Sequence, residues 1–220
     1  YEIPKRDWSS DVCSSDLEAM AFAVRADSPI KSLRDLVARW KADPQSLSLS
    51  IGSARGSTTH FLAARVARLA GVDPRRLKLI TFGGSADSIT NLLGGHIDGA
   101  SLAFNSLLRQ HQAGGIRIIA VASDKRSLLA PDIPTVREQG FDVTVGGWIA
   151  VVGPRGLAAP QVAYWEELLG RTVNAPEWKA YTDSGNFDWT YLKAEATRDF
   201  LRRSEEHTSE LQPRFGISYA

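Results

Sequence analysis

The chain is short of the residues that most enzyme and metal chemistry needs. Among 220 residues there is one cysteine, Cys13, one methionine and four histidines. A single cysteine closes no disulfide within the chain, and His60, His96 and His111 are too scattered to give the spacing of a metal site. No apolar run approaches the length of a membrane-spanning helix. The net charge is only +1, and no Lys/Arg cluster is interleaved with aromatics, which argues against a nucleic-acid partner. The lysine of a Walker A loop and the spacing of a dinucleotide fingerprint are both missing. "GSARG" fails the G-x-S-x-G pattern of a hydrolase elbow because serine directly follows the first glycine. These absences exclude the common enzyme classes, and the chain reads as a non-enzyme without cofactor or metal.

Two stretches stand apart in texture, "DWSSDVCSSDL" (7–17) and "RSEEHTSELQ" (203–212). They can be back-translated into DNA strings that are reverse complements over their shared length, and both resemble translated sequencing-adapter DNA. Residues 1–17 and 203–220 are therefore expected to be assembly scars and are kept out of the fold reading. The remaining segment, Glu18 to Arg202, has a net charge of +4 and no cysteine. A cysteine-free segment suits an oxidising compartment.

Along that segment short apolar runs alternate with amphipathic helices. "AMAFAV" (19–24) is strand-like, and Leu33, Leu36, Val37 and Trp40 fall on one helical face with Ser32 as N-cap and Pro44 as a stop. "LSLSI" alternates Leu47, Leu49 and Ile51 as a strand does. A helix with Leu62, Val66 and Leu69 in line follows, closed by Gly71. The unit repeats as the strand "LKLITF", the loop "GGSADS" and a helix face of Ile89, Leu92 and Leu93. "IDGASLAF" and "IRIIAVA" add strands around a helix at Leu107 and Leu108. Such alternation implies an α/β fold with βαβ units and a mostly parallel sheet. "PDIPTVREQGF" is a Pro-punctuated excursion, and "VTVGGWIAVVGP" reads as one long strand with a glycine hinge. The remainder is helical: 160–174 with Val162, Trp165, Leu168 and Leu169, a shorter helix with Trp178 and Tyr181, and a last one ending near Leu201. A boundary near Gly146 and Gly147 divides the segment into 18–147 and 148–202.

In an open α/β sheet, ligands sit at the carboxyl ends of strands, where loops enter helices. Two such loops here, "GSARGSTTH" and "FGGSADS", are built from Gly, Ser and Thr. A helix N-terminus offers unpaired N–H groups and partial positive charge, glycine permits close approach, and the hydroxyls of Ser53, Ser57, Thr58 and Ser85 add donors. The loops suit a carboxylate- or phosphate-sized anion. Equally, Ser57 and Thr58 can serve only as helix caps, with the glycines only making the turn. His60 reads as a first-turn residue beside the loop. Arg55 can pair with a carboxylate, although a solvated arginine accounts for it as well.

The order of "SPIKSLRDL", "GSARGSTTHFLAARVARLAGV", "ITFGGSADSITNLLGGHIDG", "IRIIAVASDKRS", "PDIPTVREQG" and "GPRGLAAPQVAYWEELL" resembles the extracytoplasmic receptors of tripartite tricarboxylate transporters, the Bug family of periplasmic binding proteins. The resemblance covers essentially all of 18–202. It implies a two-lobed clamshell of type II periplasmic-binding-protein architecture that closes on a small tricarboxylate- or dicarboxylate-like acid. It also implies a periplasmic location, membrane permease subunits as partners, and a monomeric intact receptor. Carried over, the ligand-binding residues are Ser53, Gly56, Ser57, Thr58 and His60, then Gly84, Ser85 and Ala86, with Phe104 and Asn105 at a third strand end; Arg55 joins them on its charge alone. Where relatives commonly read Tyr-Lys-Gly this chain has Phe82-Gly83-Gly84, and Ile149 replaces an Arg often seen after the tryptophan matching Trp148. Both departures weigh against a citrate-like polyanion and toward a less charged acid. The family's opening lobe, its Gly-rich anion loop and its signal peptide have no counterpart in this sequence. The resemblance thus implies a fragment: one α/β lobe, 18–147, with C-terminal helices, 148–202, belonging to an incomplete second lobe. Exposed Trp165 and Trp178 faces would then favour self-association. The rival reading is the effector-binding domain of a transcriptional regulator with the same architecture, which an upstream helix-turn-helix would decide; the weakest is a small α/β enzyme using Ser57 and His60.

Overall fold

The computed structural model describes residues 15–16, 18–147, 151, 153–154, 156–185 and 189–199. The chain divides into two compact units, one of Glu18–Gly147 and one of Tyr1–Leu17 with Trp148–Ala220.

The first unit is a sheet covered by helices. Its strands are β2 (Glu18–Arg25), β3 (Ser48–Ser50), β4 (Lys78–Ile80), β5 (Gly99–Ala103), β6 (Ile116–Val121) and the two-residue β7 (Gly146–Gly147). Their order is β4-β3-β5-β2-β6, with β7 also on β2. Strands β4, β3 and β5 run parallel, whereas β2 is antiparallel to β5, β6 and β7. The expected parallel-rich sheet is present, with β2 as the reversed strand. Parallel strands need crossovers, and α2 (Thr58–Leu69), α3 (Ser85–Leu93) and α4 (Phe104–Gln112) supply them between β3, β4, β5 and β6, whereas α1 (Leu33–Ala42) joins the reversed β2 to β3.

The near-continuous apolar run of β2 follows from burial on both faces. Met20, Phe22 and Val24 face one core with Leu33, Trp40, Leu49 and Leu62; Ala21 and Ala23 face the other with Leu92, Leu102, Leu107 and Leu108. Phe22 meets Trp40 edge to face, with ring centroids 6.3 Å apart. Leu47, Leu49 and Ile51 share the first core, as their alternation predicts. That leaves Ser48 and Ser50 on the opposite face of β3, and both are buried.

Helix α1 begins with a capping box between Ser32 and Asp35. A backbone hydrogen bond from Lys31 outweighs desolvation and, together with hydrogen bonds from the Ser32 side chain and backbone, holds the Asp35 carboxyl below its usual range. Gly71 terminates α2 with φ of +79°, a left-handed conformation that glycine adopts without penalty. Two expected core positions are exposed instead, Leu69 at 48% and Leu93 at 38%. The buried stripe of α2 runs through Leu62, Ala63, Val66 and Ala67, so Leu69 lies at its margin; in α3 the buried pair Ser88 and Leu92 displaces Leu93 in the same way. The expected long strand across "VTVGGWIAVVGP" is also corrected. Residues 142–145 are outside any strand, only Gly146–Gly147 pair with β2, and Trp148, Ile149 and Ala150 lie outside the described residues.

The Pro-rich excursion is irregular but anchored. Gln139 accepts a hydrogen bond from Leu33 N at the start of α1 and donates to Ile119 O of β6, each at 2.8 Å.

In the second unit, β1 (Ser15–Asp16) pairs antiparallel with β8 (Trp189–Thr190). This ladder uses two residues of the stretch that reads as adapter-derived. Helices α5 (Ala159–Val173) and α6 (Pro176–Gly185) follow the expected helical spans, and 194–199 is helical. Ala194 N donates to the Glu166 carboxylate at 2.8 Å. Packing does not absorb all the aromatics: Tyr164, Trp165 and Tyr181 are exposed, whereas Trp178 is half-buried. No helix among the described residues is long and apolar enough to cross a membrane.

Candidate functional site

Strands β4, β3 and β5 are parallel neighbours, and each leads into a helix: β3 into α2, β4 into α3 and β5 into α4. Three helix N-termini therefore gather at one edge of the sheet. Every residue expected to bind ligand lies on one of these three strand-to-helix connections.

The α2 connection is closed on itself. Ser57 caps the helix by accepting from His60 N, at 3.4 Å. Its hydroxyl also shares a 2.8 Å hydrogen bond with Thr59 Oγ1, which donates to Ile51 O at 2.6 Å. Gly56 N donates to His60 Nδ1 at 2.8 Å. A ring nitrogen that accepts carries no proton, so the neutral imidazole is protonated at Nε2. Burial, with a smaller contribution from the nearby Arg55 cation, holds the His60 pKa below its ordinary value. The turn itself needs glycine, since φ is +72° at Gly52 and +87° at Gly56. Ser53 and Arg55 are exposed; Gly56, Ser57, Thr58 and His60 are half-buried.

The α3 connection is open. Gly84 is its N-cap, and no side chain caps the helix. With φ of 165° Gly84 is extended, and a Cβ built on it would meet nothing within 4 Å. Gly84 and Ser85 are half-buried and Ala86 is exposed. The first turn carries Asp87, whose carboxylate lies 2.6 Å from where a Cβ on Gly83 would sit.

The α4 connection also lacks a side-chain cap. Asn105 turns inward on its own turn, its Oδ1 accepting from Ser106 N at 2.7 Å. Phe104 is placed differently from a residue that lines a site with its ring. At 6% exposure it packs into the core with Leu107 and Leu108, because the first α4 residue lies over the apolar face of the sheet. Only its main chain belongs to the connection.

Three serines that the sequence reading left aside join the loops. Ser50, fully buried on β3, donates to Ser88 Oγ at 2.8 Å and accepts from Gly52 N at 3.3 Å. Ser88 Oγ in turn donates to Gly84 O at 2.9 Å. A chain of hydroxyls thus runs from the first glycine loop to the second. Phe82 N donates to Gly52 O at 2.9 Å beside it. On the other side, Ser101 Oγ of β5 donates to Thr59 O at 2.9 Å, joining β5 to the first turn of α2. The signal in the sequence was present: serines on the inner face of a strand that otherwise reads as core. Among the described residues no His/Cys/Asp/Glu group could hold a metal ion.

Protein BugT of Bordetella pertussis is 30% identical over 146 residues, 66% of this chain and 42% of its own length. In structure the chain is similar to Rhodopseudomonas palustris Rpa4515, solved with adipate, with a TM-score of 0.81 at 20% identity over 99% of this chain and 73% of that one. It also resembles MatC from the same species, solved with bound malate, with a TM-score of 0.67 at 21% identity over 81% of this chain and 60% of that one. The chain spans about half the length of the curated relatives it matches. The family model for the tripartite tricarboxylate transporter family receptor matches residues 10–214, a span that enters both adapter-like stretches, and the chain belongs to that family.

Proposed function

We propose that the chain is the ligand-binding part of a periplasmic receptor that takes up a small carboxylate and hands it to the membrane permease subunits of a tripartite transporter. In this reading residues 18–147 form one lobe and 148–202 contribute helices to the other; the intact receptor is a monomer without cofactor. The observation that carries the reading is the convergence of three helix N-termini on adjacent parallel strands, two of them without a side-chain cap. Uncapped N-terminal N–H groups favour an anion, and several in one place favour it more. The acids held by the two R. palustris proteins, adipate and malate, support a carboxylate as that anion. Family membership supports the receptor role over turnover.

The ligand contacts in this reading are main-chain N–H groups at Gly84, Ser85, Ala86 and Asn105, with Ser53, Arg55, Gly56, Ser57, Thr58 and His60 on the facing loop. Phe104 contributes main chain only. Phe82 and Gly83 bring no cation to the site, which favours a dicarboxylate over citrate. Calorimetric titration of the chain with succinate, malate, adipate and citrate tests this. Binding of at least one dicarboxylate is expected, with Gly84→Val weakening it about tenfold or more while leaving thermal stability unchanged, since the new side chain enters open space. Failure of all four acids to bind, or binding indifferent to Gly84→Val, would sink the reading.

A further inference from the structure

His60 does something in this loop that a helix-capping role does not require. Its Nδ1 accepts the Gly56 N–H from four residues upstream, and this bond ties the left-handed Gly56 turn to the first turn of α2. Ser57 and Thr59 fasten the base of the loop to Ile51 O; the Gly56 bond fastens its tip. We propose that His60 is a proton-sensitive clasp: the neutral imidazole holds the glycine loop shut through Gly56, and protonation releases the tip.

The chemistry follows from the inventory of donors. A neutral imidazole has one acceptor nitrogen, and here Gly56 occupies it. The imidazolium has two donors and no acceptor, so Gly56 N–H and Nδ1–H would point at each other. The ring must then turn away. The charged groups around it do not resist that outcome. Arg55, on the loop, is the charged group that acts on the ring, and it disfavours a second cation. Among the described residues no carboxylate lies within ion-pairing reach of His60 to offset it. The same burial and the same arginine keep the ring neutral at neutral pH.

For the consequence in binding, the inference rests on the reading of this loop as half of an anion cradle. Two effects of acid oppose each other there. An imidazolium attracts an anion weakly, because partly exposed charge pairs contribute little. Release of the tip costs a hydrogen bond to the loop and disorders its donors, a larger loss. The clasp wins, and acid weakens binding.

The test begins without ligand, on the full chain. The Gly56 amide and the His60 ring are followed by nuclear magnetic resonance from pH 8 to pH 5, with His60→Asn, whose Oδ1 can accept in place of Nδ1, as the variant that does not titrate. The Gly56 amide is expected to shift and lose protection from exchange with the midpoint of His60, while His60→Asn stays flat. A Gly56 amide that ignores the titration of His60 would overturn the clasp outright. Malate titrations at pH 7.5 and 5.5 then read the consequence. Wild type should lose about fivefold more affinity than His60→Asn, the variant correcting for protonation of malate itself. Tighter binding by wild type in acid would overturn the proposal by making His60 a charge partner. If malate binds at neither pH while the Gly56 amide still follows His60, the carboxylate reading fails for this acid and the clasp stands.

Discussion

The two glycine loops look alike in sequence and behave differently in the fold. "GSARGSTTH" is rich in hydroxyls, and the structure turns them on the loop itself: Ser57, Thr59 and His60 bind the chain that carries them. "FGGSADS" has fewer groups able to do this, and its helix begins without a side-chain cap. The lesson is that hydroxyl content does not measure capacity for ligand. A Ser or Thr at a helix start is used first by the backbone that precedes and follows it, and the less decorated loop offers an anion the more open main chain.

The difference can be broken at its strongest point first. Ser50→Val should remove the hydroxyl chain that joins the loops and leave Gly52 N–H without its partner, at a cost of about 2 kcal/mol in urea-induced unfolding. An unchanged midpoint would show that the connection carries no energy. Next comes the backbone contrast. Gly52→Ala places a Cβ at φ of +72° and should cost about 1–2 kcal/mol, whereas Gly84→Ala, extended and facing open space, should stay within about 0.5 kcal/mol of wild type. Equal costs at the two glycines would erase the distinction between closed and open loops. Ser57→Ala should cost about 1 kcal/mol as a lost cap, against almost nothing for Ser85→Ala in the same unfolding assay.

The smallest effect is the pH dependence. His60 titrates below its ordinary value of 6.5 in the folded chain, so near that pH the unfolded chain binds more protons than the folded one. The contribution of His60 is therefore fully present above pH 6.5 and is lost as pH falls through the lower folded value. Unfolding midpoints measured across that window should fall with acid in wild type and fall less in His60→Asn.

Much of the first unit was legible in the chain because its signals are local. The helix at Leu33–Trp40 announces itself through spacing, the Ser32 cap and Pro44 after it, and glycines mark the ends of α2, α3 and α4. Leu69 and Leu93 misled because periodicity reports a face and not its edge; the stripe centre is set by the alanines and by Ser88, which bury well but read weakly. Residues 142–145 misled because a β-branched run needs a partner strand along its whole length, and β2 offers a ladder only to Gly146–Gly147. Within the candidate site the positions of the loops were readable, since a Gly-Ser cluster between an apolar strand and an apolar helix marks a turn and a helix start. The roles of the side chains were not. Phe104 is a core residue because its helix starts over the sheet, and no local pattern distinguishes that from a ring at a site.

By itself the sequence determined the alternation of strands and helices, the position of the loops between them and the absence of a metal-ligand or nucleophile pattern, since each depends on neighbours a few residues apart. Only the tertiary structure decided which strands lie side by side. That placement brings Ser50 to Ser88 and Ser101 to Thr59, partners 38 and 42 residues apart, and it sets three helix N-termini at one edge. Hydrogen bonds between distant residues form only after the sheet order is established, and that order comes from burying both faces of β2 at once.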